Sequence, residues 1–141
     1  MFTEIPNQDI ERPKSQPTTR NLRFLVSKNV FEIAIDAIAM HSRETHRFQS
    51  LRSVLQHACE MLEAFPLDAN DFDAFARTTA IDGDIKVHLQ MTSSWSPQYD
   101  KLKTKLADIW EKPINDRTAV AYFLTLCVEH DLMGKTQRAT R

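Results

Sequence analysis

The sequence predicts a mostly α-helical protein with one two-stranded antiparallel ribbon, arranged as two strand–helix–helix units fused in one chain. Three observations carry that expectation. Residues 84–92, DIKVHLQMT, alternate: Ile85, Val87, Leu89 and Met91 are apolar, and Lys86, His88 and Gln90 between them are polar. A period of two marks a strand with one buried and one wet face. Residues 21–26, NLRFLV, alternate likewise, with Leu22, Phe24 and Val26 on one face and Asn21, Arg23 and Leu25 on the other. Each strand is followed by two helical stripes, and the halves align at a constant offset of 65 residues, Leu22 falling on Val87, Phe24 on Leu89, Val26 on Met91 and Arg52-Ser53 on Arg117-Thr118.

Taken in order, residues 1–19 are polar, contain three prolines and show no periodicity, so they read as a flexible N-terminal arm. The first unit spans 20–65. After its strand, Ser27 is a candidate N-cap for a helix whose stripe is Val30, Ile33, Ala34, Ala37 and Ile38. A polar break at Thr45 and His46 separates it from a second stripe, Leu51, Val54, Leu55, Ala58, Met61 and Leu62, for which Ser50 and Ser53 compete as cap. Pro66 closes that helix. Residues 66–83 form an acidic connector, in which NDFDAFART has the pattern of a short helix and Gly83 marks the turn into the next strand. The second unit spans 84–133. Its first helix carries Pro97 in the opening turn and Tyr99, Leu102, Leu106 and Ile109 on one face, and ends before Pro113. Its second helix is expected to run to Gly134, leaving a basic tail at 134–141.

A formal charge of −1 supplies no global attraction to nucleic acid, but the distribution of charge decides that matter more than the sum. No apolar run approaches the ~20 residues of a membrane span, and the first residues lack a signal-peptide core, so a cytoplasmic protein without membrane contact is expected. Cys59 and Cys127 sit inside helical stripes and read as buried reduced thiols. His41, His46 and His57 lack metal-ligand spacing to a carboxylate or cysteine on a shared face. There is no Ser/His/Asp arrangement, no glycine-rich phosphate loop and no enclosed acid pair. The sequence therefore predicts neither an enzyme nor a cofactor or metal.

One strand–helix–helix unit cannot fold alone, because its strand has no partner and two short helices bury too little surface. Two units solve this together, their strands pairing antiparallel over a four-helix bundle. The second face of the ribbon is then left uncovered, presenting Asn21, Arg23 and Leu25 beside Lys86, His88 and Gln90. A two-stranded ribbon fits the DNA major groove, where Arg and Lys reach guanine, Asn and Gln pair with adenine, and Leu can touch a thymine methyl. The plainer reading of the same residues is a solvated sheet face. Likewise KLKTK at 101–105 reads as a solvated helix face, and Trp95 and Trp110 as core or cap residues.

NLRFLVS and IKVHLQMT, with Arg52-Ser53 and Arg117-Thr118 entering the second helix of each unit, resemble the ribbon-helix-helix family. Since both units lie in one chain, the likeness is to the tandem, single-chain subgroup. Within it, SLRSVLQHACEMLE, IKVHLQMTSSWSPQYDKL and RTAVAYFLTLCV are similar to the VirC-type accessory proteins of T-DNA transfer. The likeness covers roughly residues 20–133. The acidic connector, the near-neutral charge and the long first helix depart from the family pattern.

The resemblance implies a monomer acting as a pseudo-dimer on double-stranded DNA, with higher assembly on DNA open, and a relaxase or other transfer-complex protein as partner. It also implies phosphate contacts at the start of each second helix, through Arg52, Ser53, Arg117 and Thr118. Ser53 and Thr118 could equally be caps, and Arg20, Lys28 and the basic tail are generic charge near the same backbone. Transcriptional repression by the same fold, or a protein-interaction role for the acidic connector, are the alternatives.

Overall fold

The computed structural model describes residues 19–132; residues 1–18 of the expected N-terminal arm and the basic tail lie outside them, while Thr19, expected in the arm, opens the first strand. The element order is β1 (Thr19–Val26), α1 (Lys28–Thr45), α2 (Leu51–Leu62), α3 (Ala69–Thr78), β2 (Ile85–Thr92), α4 (Ser96–Trp110) and α5 (Asp116–Glu129). The protein is mostly helical with one two-stranded antiparallel sheet, β1 against β2. Each strand satisfies one edge of the other. Their apolar faces, led by Leu22, Val26, Leu89 and Met91, are buried on the helices.

The helices follow from their stripes. α1 buries Val30, Ala37 and His41, and α2 buries Val54, Leu55, Ala58, Cys59 and Leu62. α4 buries Tyr99, Leu102 and Leu106. α5 is different: every residue from Ala119 to Cys127 is buried, so it is apolar all round and runs through the centre. It packs on α1, α2, α3 and β1, while α2 also packs on α4 and β2. The segments before and after α3 therefore share a single core. Cys59 and Cys127 are free and buried in it, and burial pushes both thiols up to about 12.

Caps set the element ends. Ser27 takes the Val30 amide at 3.1 Å and opens α1. Ser50, not Ser53, is the N-cap of α2; Ser53 is its capping-box partner, accepting from the Ser50 amide at 3.0 Å. Asn115 caps α5 by accepting from the Thr118 amide at 2.8 Å. α1 and α4 end on non-glycine residues in the left-handed region, His46 (φ 58) and Glu111 (φ 65). The expected stop at Gly134 is corrected: α5 ends at Glu129. Asp131 (φ 57) then reverses the chain, so that the Leu132 and Asp131 amides bond to the Cys127 and Val128 carbonyls. That is a Schellman closure, which needs a left-handed residue but not specifically glycine.

The stretch expected as a connector holds the helix α3, which contributes Phe72 and Phe75 to the core. α3 places Phe72 and Phe75 against Tyr122, and Phe72 edge-on to Trp110 at 4.8 Å. After α3, the chain clamps the β1–α1 junction. The Ser27 amide donates to the Ile81 carbonyl at 2.8 Å and the Ser27 hydroxyl to the Ala80 carbonyl at 2.6 Å. Gly83 passes so close that a Cβ there would lie 2.3 Å from the Val26 carbonyl oxygen. Glycine is required at this position for space, since its φ is not positive.

Candidate nucleic-acid interface

The register assembles the uncovered face from three cross-strand rows: Asn21 opposite Gln90, Arg23 opposite His88, and Leu25 opposite Lys86. All six side chains are exposed, because the two-residue period that buries Leu22 and Leu89 turns their neighbours outward. The face carries no carboxylate. Its Leu25, 43% exposed, is the one large apolar group on it. His88 and Asn21 meet diagonally, with Nε2 and Oδ1 3.2 Å apart. Among the described residues, Arg23, Lys86 and Gln90 have no side-chain hydrogen bond or ion pair. They are held at their bases by the sheet and left unengaged at their tips.

The start of α5 borders the β1 edge. A cleft of about 380 Å³ is lined by Asn21, Arg23, Phe24, Asn115, Asp116 and Arg117. Arg117 ion-pairs with Asp82 at 2.8 Å, and its Nε is buried without a hydrogen-bond partner among the described residues. Asp116 accepts from the Tyr99 hydroxyl at 2.6 Å and from Lys103 Nζ at 2.9 Å. Burial pushes the Asp116 carboxyl up, but these two donors outweigh it and hold the group below its ordinary value. On the other side, a groove of about 250 Å³ runs from Lys86 and His88 past Phe31 and Ile35 to Leu51 at the start of α2.

The remaining sequence candidates are scattered around this frame. Arg20 is committed within the fold: its guanidinium bonds both oxygens of Asp100, at 2.8 and 2.9 Å, and lies over the Tyr99 ring. Lys28 and Arg52 are exposed on the first turns of α1 and α2. The Ser53 hydroxyl donates to Gln49 Oε1 at 2.7 Å, and Thr118 offers its amide to the Asn115 cap.

Sequence reading passed over Asn115 and Asp116, and the pairing of Asp82 with Arg117 and of Asp100 with Arg20, because each joins residues on different elements. It also passed over the α1–α2 turn, where Arg43, Arg47 and the fully exposed Phe48 cluster. Two arginines spaced by four before a lone aromatic in a polar break are the signal that was there to be found.

Among the described residues, no helix is long and apolar enough to cross a membrane. No family model, no curated protein and no solved structure matches this chain.

Proposed function

We propose that this protein binds double-stranded DNA in a sequence-specific manner, laying the exposed face of the ribbon in the major groove. The observation that carries the reading is that face itself: Arg23, Lys86, His88, Gln90 and Asn21, exposed, unopposed by any carboxylate and covered by no other element among the described residues. Such a surface places guanine- and adenine-reading groups on a support narrow enough for the groove.

The finer reading, a duplicated strand–helix–helix unit acting as a pseudo-dimer of ribbon-helix-helix type, is supported by spacing. The central row joins Arg23 to His88, residues 65 apart in the chain, so a two-fold relation at that offset would pass through this pair. The left-handed caps His46 and Glu111, the N-caps Ser50 and Asn115, and the starts of α2 and α5 fall at the same interval. Three acids of the connector are engaged internally, Asp71 with Tyr122, Asp73 with Arg77 and Asp82 with Arg117, which argues against a purely acidic docking strip. The resemblance at the strands and second helices makes an accessory role in conjugal or T-DNA-type transfer, beside a relaxase, the preferred biological use. Repression of transcription would employ the same face.

Because the rows differ on either side of Arg23 and His88, the site read should be asymmetric. It should extend over about 4–6 base pairs, judged from strand spacing. Selection of duplexes from a random pool should return such a sequence. Affinity for it should fall steeply with salt, and Arg23→Ala or Lys86→Ala should relax the preference by about 1–3 kcal/mol per base contact. Binding that ignores salt, or a site preference that survives both substitutions, would sink the proposal.

A further inference from the structure

The α1–α2 turn holds a phenyl ring in solvent by construction. Phe48 is 104% exposed, yet its neighbours on both sides are tied down. The Arg47 amide bonds the Ser42 carbonyl at 3.3 Å, and the Gln49 amide bonds Ser42 Oγ at 3.0 Å. The Gln49 side chain bridges the two helices, its Nε2 donating to Thr45 Oγ1 at 2.9 Å and its Oε1 accepting from Ser53 at 2.7 Å. The ring is thus presented from a pinned turn. Beside it a cleft of about 280 Å³ is lined by Ser42, Arg43, His46, Arg47 and Phe48. Arg43, Arg47 and the nearby Arg52 are exposed and have no ion pair among the described residues. The other exposed large apolar residues, Leu25, Phe31 and Ile35, lie elsewhere. About 15 Å of helix separates Ile35 from Thr45. One isolated ring among unpaired guanidinium groups offers too little apolar area for a protein interface core or for burial in a bilayer. It matches the parts that hold an unpaired strand, an aromatic platform for a base and cations for the flanking phosphates.

We propose that this turn binds single-stranded DNA, with one unpaired base stacked on Phe48 and the adjoining phosphates met by Arg43, Arg47 and Arg52. A duplex does not offer that base, because its bases are already stacked inside. The choice of DNA over RNA rests on the duplex-reading proposal for the ribbon; the stacking does not.

The test is a fluorescence-anisotropy titration of the full chain with a labelled oligothymidylate. Parallel titrations use a mixed duplex and vesicles of anionic phospholipid. Phe48→Ala touches no packed neighbour and should leave the fold intact by circular dichroism. It should weaken oligothymidylate binding by about tenfold or more, as loss of one stacked base does. Arg47→Ala should weaken it further and flatten its salt dependence. Phe48→Trp should keep the affinity and show quenching on binding that wild-type protein lacks. Arg23→Ala should leave oligothymidylate binding unchanged, so this proposal and the ribbon reading fail separately. Absence of oligothymidylate binding, indifference of that binding to Phe48→Ala, or Phe48-dependent capture by vesicles instead would overturn the inference.

Discussion

The α1–α2 turn, residues 46–50, and the α4–α5 turn, residues 111–115, perform one backbone task with opposite surfaces. Both open on a left-handed non-glycine residue and close on a polar N-cap, 65 residues apart. The first is lined by Arg43, His46 and Arg47, is followed by the exposed Arg52 on the first turn of α2, and turns Phe48 outward. In the second, the equivalent positions are Asp108, Glu111, Lys112 and Arg117, the last already paired with Asp82; an exposed proline, Pro113, stands where Phe48 does, and the next residue, Ile114, is buried. Geometry here is set by hydrogen bonds that many sequences supply. Surface chemistry is set by side chains that geometry barely constrains. Two turns can therefore share a left-handed opening and a polar cap while one carries a cationic, aromatic surface and the other a mixed-charge one.

The same contrast runs through the core. The first segment stacks His41 on His57 with centroids 4.2 Å apart, whereas the positions 65 residues later are the fully buried Leu106 and Tyr122. α3 widens the difference, since it packs on α4 and α5 and closes over Trp110 and Tyr122. The first segment receives the clamp at Ser27 instead.

The largest test of this asymmetry is Phe72→Ala. It should cost about 3–5 kcal/mol in denaturant unfolding, because a fully buried ring is removed from the second segment's aromatic cluster. If α3 were only a spacer, the loss would be negligible. Gly83→Ala comes next, at about 1–3 kcal/mol, since the new methyl group must displace backbone rather than a flexible side chain. Urea midpoints of the two variants would rank them.

Ser50→Ala and Asn115→Ala probe the shared task. Each should lose about 1 kcal/mol, the usual value of an N-cap, and a marked inequality would break the claim that the turns are equivalent in backbone role.

The histidine stack gives a pH signature confined to the first segment. Burial first, then the charge of His41, lowers the His57 pKa from 6.5, with the Leu132 backbone pulling the other way. The unfolded chain therefore takes up a proton near pH 6.5 that the folded chain refuses until lower pH. This contribution to stability is full above 6.5, declines as pH falls below it, and levels off beneath the lowered value. Urea unfolding at pH 7.5 and in mild acid should show the decline, and His57→Gln should reduce it.

The smallest effect is expected from Asp82→Ala. An exposed ion pair contributes little, so stability should move by no more than ~0.5 kcal/mol. The freed Arg117 should nonetheless steepen the salt dependence of duplex binding by about one unit of slope. An unchanged slope would mean that Arg117 takes no part in phosphate contact.

The period-two strands, the helical stripes and the interval of 65 residues were legible in the sequence because each depends on neighbours within one element or on a repeated pattern. That legibility extended to the six exposed side chains of the ribbon, from Asn21 to Gln90, whose outward direction follows from alternation alone. It reached Ser27 as a cap, but it placed the end of α5 at Gly134, since non-glycine residues can also enter the left-handed region and the closure depended on backbone bonds around Asp131.

The one-dimensional pattern thus determined which residues are apolar, which face outward on each strand, and that helices dominate around a single ribbon. Only tertiary structure decided that Phe72 and Phe75 of the 66–83 stretch join the core, that Arg20 and Arg117 are held by Asp100 and Asp82, and that Phe48 stands in solvent. Those outcomes depend on distances between residues far apart in the chain. Such distances are fixed by the packing of whole elements and by which donors find acceptors across it, and no local period encodes them.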